Sequence, residues 1–325
     1  MIDEVALIKR LQASAKPKQL SSRTAWPTLA AITGNWLVIS LCIAALCAFP
    51  WYLHPVFLVL IAARQHALLI LMHDASHFLF CRSKALNDVI SDVFCGFPFG
   101  VTTRTYRDNH IQHHEHLNTG ADPDLIRTVG PDSHYEEWLF PMPYYRLFSF
   151  FVKDVLGRGF FDLFKALREL ALKSVKSQYR WPVLVQVAYL ASVAALLYFS
   201  PARWMLVYGW MAPMLAILPA ILRLRALAEH YAIPRQSILR GSRTVKAKWF
   251  ERFLLAPHNV SLHLEHHLFP YVPWHRLPEL HKRLMRVEEY RSNAHVNGGY
   301  LVGSNSVLTD VSSVVDDPRL ALARN

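Results

Sequence analysis

Cysteine is scarce and unpatterned in this 325-residue chain. Cys42, Cys47, Cys81 and Cys95 form no CxxC pair, which excludes a cysteine zinc site, a cysteine-held iron–sulfur cluster and a disulfide framework. No GxGxxG is present to cradle a dinucleotide. No Glu-x-x-His pair occurs, so the ligand signature of the soluble di-iron carboxylate bundles is missing. Heptads, solenoid periods and low-complexity tracts are absent, as is any haem-domain signature. Residues 1–25 lack the short apolar core and small-residue cleavage site of a secretory signal. The basic balance comes without an aromatic-basic recognition motif, and nucleic acid is therefore not expected as a partner.

What is there is apolar and positively charged at once. Hydrophobic residues make up 53% of the chain while the formal net charge is +11, a pairing that suits a membrane protein with basic loops. Four stretches are long and apolar enough to cross a bilayer, at about 26–49, 51–72, 181–199 and 204–222. The turns near Pro50 and Pro201 carry almost no positive charge, and the rest of the basic residues lie elsewhere. The positive-inside rule then puts both turns outside and both termini in the cytosol. The expected fold is an all-α membrane protein: four transmembrane helices in two hairpins, with a cytosolic helical cap. Three regions follow: a basic segment at 1–25, one membrane domain at 26–295, and a polar, weakly ordered tail at 296–325. Leu86–Gly100 and much of Pro131–Arg180 read as interfacial amphipathic helices.

Histidine is the residue in excess, with 17 copies. His263, His266 and His267 stand at i, i+3 and i+4 in HLEHH, a spacing that lines three imidazoles along one helical face. HIQHH repeats the pattern with His110, His113 and His114, and HDASH adds His73 and His77 one turn apart. The charge argument places all three clusters on the cytosolic side. His116 falls off the shared face, and His134, His258, His275, His281 and His295 have no partner at ligand spacing. Eight clustered imidazoles exceed what one metal ion takes, whereas two ions use them all. An all-nitrogen pair with open positions suits iron, which binds and reduces O2, better than structural zinc. Asp74, Glu229, Asn259 and Glu265 are candidate acceptors for the ligands' outer N–H groups, or else plain polar residues. Arg64, inside the second span, is a substrate-facing or functional residue, or half of a structural ion pair.

HDASH, HIQHH and HLEHH, in this order around two membrane hairpins, resemble the three histidine boxes of the membrane fatty acid desaturase and hydroxylase family. The DPD after the second box and the NVSLHLEHHLFP context of the third are similar to bacterial members, and the resemblance runs from about Trp51 to His281. It implies a non-haem di-iron centre at the cytosolic membrane face and His230 as a ninth ligand. It further implies O2 as co-substrate, an acyl chain carried on coenzyme A, acyl carrier protein or a lipid, and a ferredoxin-like or cytochrome-like electron donor. Lipid, alkane or carotenoid hydroxylation or ketolation, and desaturation of a small amphiphilic metabolite, are the alternatives within the family. Outside it stand a zinc-dependent membrane hydrolase, a metal transporter and a bis-histidine haem protein. A transporter would place its ligands at the bilayer midplane, whereas these clusters sit at span ends and in loops.

Overall fold

The computed structural model describes residues 4–130, 135–174, 180–233 and 237–313. Its helices in chain order are α1 (Glu4–Ala15), α2 (Ala25–Ala48), α3 (His54–Ser76), α4 (Lys84–Ser91), α5 (Thr103–Glu115), α6 (Pro123–Val129), α7 (Tyr144–Val155) and α8 (Arg158–Ser174). There follow α9 (Arg180–Phe199), α10 (Arg203–Ala212), α11 (Leu218–His230), α12 (Trp249–Leu254), α13 (His263–Leu268), α14 (Leu277–Leu284), α15 (Glu288–Asn293) and α16 (Val307–Ser313). Two short strands, β1 (Thr244–Val245) and β2 (Val296–Asn297), pair in parallel with Thr244 opposite Val296. The chain forms two compact units. One gathers Met1–Ser22, Asn109–Phe150 and Leu224–Asn325; the other gathers Arg23–Asp108 and Phe151–Arg223.

The second of these, the span unit, is built on long apolar helices. Four helical stretches are long and apolar enough to cross a membrane: Ala25–Ala48, Trp51–Ser76, Arg180–Phe199 and Arg203–His230. Their number is as expected, but the second and fourth run further than the hydropathy pattern alone indicates. Charged residues end an apolar run without ending a helix when they find partners. Arg223 does so through a bidentate pair with buried Asp154, its Nε and Nη2 donating at 2.5 and 2.9 Å. Pro213, inside the fourth stretch, is absorbed by a π-turn over Pro213–Ile217, which tolerates its missing N–H.

Packing within the span unit is close. Trp36 on α2 stacks on Trp210 on α10 with centroids 5.4 Å apart. At Gly209 a Cβ would stand 2.9 Å from Ile43 and 3.2 Å from Leu46, so only glycine lets α10 approach α2 this closely. Arg64 is buried on α3 and donates to Asn35 Oδ1 of α2 at 3.4 Å, while its neighbour Gln65 donates to the Trp210 carbonyl at 2.8 Å. Both long polar side chains thus bond to neighbouring helices, the condition for holding them inside an apolar bundle. Leu86–Gly100, expected as one amphipathic helix, is α4 followed by a π-turn and a 3-10 turn. Asp92 closes that bend by accepting the Thr103 N–H at 2.6 Å.

The histidine-rich unit is held by a different core. Leu7, Leu11 and Ala15 recur every four residues on α1 and are buried with Leu264, Leu268 and Phe269 from the α13 region and Leu277, Leu280 and Leu284 of α14. The basic amino-terminal segment therefore supplies an amphipathic core helix as well as charge. The region after Val296, expected to be weakly ordered, is structured through Ser313. It contributes β2 and α16, buries Tyr300, Val307 and Val311, and receives the Met142 N–H on the Val311 carbonyl at 2.8 Å. Its polar composition hid a sparse apolar spacing sufficient for one buried face. The rest of that segment, and His134, lie outside the described residues.

Candidate metal centre

In the histidine-rich unit three helices converge through their imidazoles. The i, i+3, i+4 spacing sets His110, His113 and His114 along α5, and His263, His266 and His267 along α13; His230 is the last residue of α11. Their Nε2 atoms fall into two groups. His113, His230, His263 and His267 form one, with separations of 3.2 Å from His113 to His230, 3.0 Å from His230 to His263 and 3.1 Å from His263 to His267. His110, His114 and His266 form the other, with His114 standing 3.0 Å from His110 and 3.1 Å from His266.

Hydrogen bonds cannot account for the group of four. Asp122 accepts from His113 Nδ1 at 2.9 Å, which fixes the tautomer and leaves a bare lone pair on His113 Nε2. A neutral imidazole carries one N–H, and one N–H cannot serve two nitrogens on different sides. His230 and His263 each face two Nε2 neighbours, so among neutral rings at least one of the three contacts is left without a hydrogen bond. A shared cation removes that conflict, and the donor set fits one. Four buried or half-buried imidazole nitrogens within reach of one point are a donor set that would hold a transition-metal ion.

The surroundings act on two of these rings in opposite directions. Burial together with the neighbouring imidazoles of His114, His263 and His230 pushes His267 well below its ordinary pKa, so it stays neutral. At His113 burial acts in the same direction, but the hydrogen bond to Asp122 and the charge of Asp124 outweigh it and raise the value. Asp122 is itself almost fully buried and saturated, accepting the N–H groups of Asn118 and Asp124 at 2.9 Å each as it caps α6. Helical spacing does not mark it in the sequence, although it lies in the DPD after the second box.

The four expected supporting residues divide. Glu229 lies beside the cluster with Oε2 3.5 Å from His263 Nε2, and Arg225 anchors its other oxygen at 2.6 Å. It thus faces the nitrogen directed into the cluster rather than the outer one. Glu265 points elsewhere: it accepts from Thr244 Oγ1 at 2.6 Å and Tyr290 OH at 2.8 Å and pairs with His281. Two residues after His263, it projects from the opposite side of α13. Asn259 also turns away, donating to the Trp274 carbonyl at 3.0 Å and accepting from Arg252 at 3.1 Å. Its left-handed backbone, with His258 in the same conformation, directs the side chain off the ligand face.

In the span unit His73 and His77 meet at the end of α3 with ring centroids 5.7 Å apart, and Asp74 is buried beside them. Arg107, also buried, clamps this helix end. It donates to the Ser76 and Ala75 carbonyls at 2.8 and 3.2 Å, pairs with Asp88, and lies 3.7 Å over the Phe78 ring. A second unforeseen arginine, Arg243, is fully buried behind His230 in the histidine-rich unit. It donates to the carbonyls of Leu227, Tyr231 and Ala232 at 2.9, 2.8 and 3.0 Å, satisfying the open end of α11.

Comparison with known proteins gives this arrangement a context. The sequence matches the fatty acid desaturase family over residues 49–299. It is 26% identical to the dihydrorhizobitoxine desaturase of Bradyrhizobium elkanii over 301 residues, covering 86% of this chain and 82% of that protein. It is 27% identical to a sphingolipid delta(4)-desaturase of Candida albicans, covering 72% of this chain and 62% of that one. Identity to an endoplasmic reticulum omega-3 fatty acid desaturase of Nicotiana tabacum is 24%, covering 71% and 65%. The chain therefore spans somewhat under two thirds of the last two proteins. The family match runs through every helix that carries a clustered histidine, and the clusters fit a metal site. The chain belongs to the fatty acid desaturase family and is an oxidoreductase.

Proposed function

We propose that this protein is a membrane-bound, O2-dependent acyl-chain desaturase with a di-iron centre. The observation that carries the reading is the convergence of seven imidazoles on two Nε2 groups, in a chain of the desaturase family. One group already offers four nitrogens and the other three; by ligand count we assign His73 and His77 to the latter, making nine histidine ligands. Iron held there would supply activation of O2 toward an unactivated C–H bond. In the balanced reaction adjacent CH2 groups lose two hydrogens, while O2, two electrons and two protons complete two waters.

The chain's own residues orient and protonate. Asp122 holds His113 with Nε2 directed inward, and Arg225 holds the Glu229 carboxylate near the cluster, where it can pass protons. We place the four spans as two hairpins with both turns outside and the histidines and termini cytosolic, on the charge asymmetry of the loops. With no dinucleotide or iron–sulfur motif in the sequence, electrons come from a separate carrier.

A small amphiphilic metabolite is the second substrate class. It is supported by the Bradyrhizobium relative, a dihydrorhizobitoxine desaturase that this chain covers more fully than the other two. Mössbauer spectroscopy and metal analysis on detergent-purified protein test the centre. Two haem-free irons per chain are expected, and stoichiometric zinc without iron sinks the reading. Mass spectrometry of reactions with acyl lipids and with small amphiphiles separates the substrate classes by a loss of 2 Da, and hydroxylation by a gain of 16 Da. His266→Ala should remove turnover while the protein remains in the membrane; full activity would exclude His266 from the centre.

A further inference from the structure

Away from the imidazoles, the histidine-rich unit carries a basic groove of about 420 Å³ between the end of α1 and α14. Lys16, Arg283 and Arg286 line it, with Glu279 the one acidic residue among them. Arg283 is committed to this wall: it pairs with Glu279 at 3.0 Å and donates to Gln19 at 3.1 Å and the Ala15 carbonyl at 3.3 Å. The hydrogen bond from Arg283 and the charges of Lys282 and Arg286 hold the Glu279 carboxyl below its usual range. Lys16, Lys282 and Arg286 are exposed, and after the Glu279–Arg283 pair is discounted they leave the groove and its rim strongly positive.

The position of this face distinguishes it from the basic residues elsewhere on the chain. On α14, His281 precedes Lys282 and pairs inward with Glu265, which lies on α13 between His263 and His266. Leu277, Leu280 and Leu284 of the same helix pack in one core with Leu264 and Leu268 of α13. A molecule held on α14 is thus one helix away from three of the clustered histidines, across a buried leucine core.

Resting on the desaturase reading, we propose that the basic face of α14, with Lys282, Arg286 and Lys16 at its centre, is the docking surface for an acidic one-electron carrier protein. Charge complementarity selects the occupant. A carrier with acidic residues around its redox group is drawn to this face, and the bare cations favour fast, salt-sensitive encounter over tight binding. Such exchange suits a reaction that needs two electrons delivered one at a time. The reduced carrier is oxidised at each visit and leaves.

The test compares the wild type with a Lys282→Glu/Arg286→Glu variant using two electron sources: an acidic ferredoxin or small acidic cytochrome, and dithionite through a small mediator. The variant should lose about tenfold or more in carrier-driven kcat/KM at low salt, a deficit that shrinks at high salt, while mediator-driven turnover is unchanged. Lys165→Glu/Arg168→Glu, reversing exposed charges on α8, should leave both rates alone. Equal carrier-driven rates in the α14 variant and the wild type would overturn the docking face. So would a wild type that turns over with the mediator but with neither carrier. No product from the wild type with any donor would instead count against the desaturase reading. Should the α14 double reversal lose turnover with both sources, the neutral Lys282→Gln/Arg286→Gln pair decides: equal carrier-driven rates to wild type reject the proposal.

Discussion

Asp122 illustrates how much of the site rests on residues that bind no metal. It accepts from His113 Nδ1 and from two backbone N–H groups, and its carboxylate has little freedom to turn. Asp122→Asn keeps the shape but removes the charge and offers an N–H where His113 needs an acceptor. Iron affinity should fall by about 10–100-fold, the usual consequence of losing such a partner, as read by metal titration of the purified protein. An unchanged affinity would show that His113 is oriented by other contacts. Glu265 is the opposite lesson. It is adjacent in sequence to His266, yet its position two residues after His263 turns it to the far side of the helix, where Thr244, Tyr290 and His281 hold it.

At the scale of elements, α13 and the end of α11 depend most on their surroundings. Six residues are too few to form a stable isolated helix, so α13 exists because Leu264 and Leu268 are buried and Glu265 is tied down. The last turn of α11 depends on Arg243, whose guanidinium meets three carbonyls behind His230 and lies 3.5 Å from Asp310. Arg243→Met should cost on the order of 3–5 kcal/mol, because a buried charge network loses its centre. Thermal unfolding in detergent reads that loss, and a change under 1 kcal/mol would show that water replaces the arginine. The sequence made the histidine faces legible because ligand spacing and helical period coincide within single short segments. His230 stood alone and emerged only through family resemblance. Asp122, Arg107 and Arg243 were illegible as supports because each acts across a turn or on another element. Span lengths were underestimated where charges such as Arg223 are neutralised by distant partners.

At the scale of the whole molecule, the proposed topology has a direct check. In a Cys47→Ser background, Ser200→Cys should react with a membrane-impermeant maleimide from the outer side of sealed vesicles. Ser313→Cys should react only after permeabilisation; labelling of both from one side would refute the two-hairpin arrangement. The discontinuous make-up of the histidine-rich unit also bears on how the protein comes into being. Its three segments are separated by the span helices, and His263 follows His113 by about 150 residues. At a synthesis rate of roughly 5–20 residues per second, the α5 imidazoles leave the ribosome some 8–30 seconds before their α13 partners exist. The group of four therefore cannot assemble during early translation, and metal insertion belongs to a late step, after α11 and α13 have been made. On the proposed di-iron reading, the species that takes up metal is therefore the full-length chain.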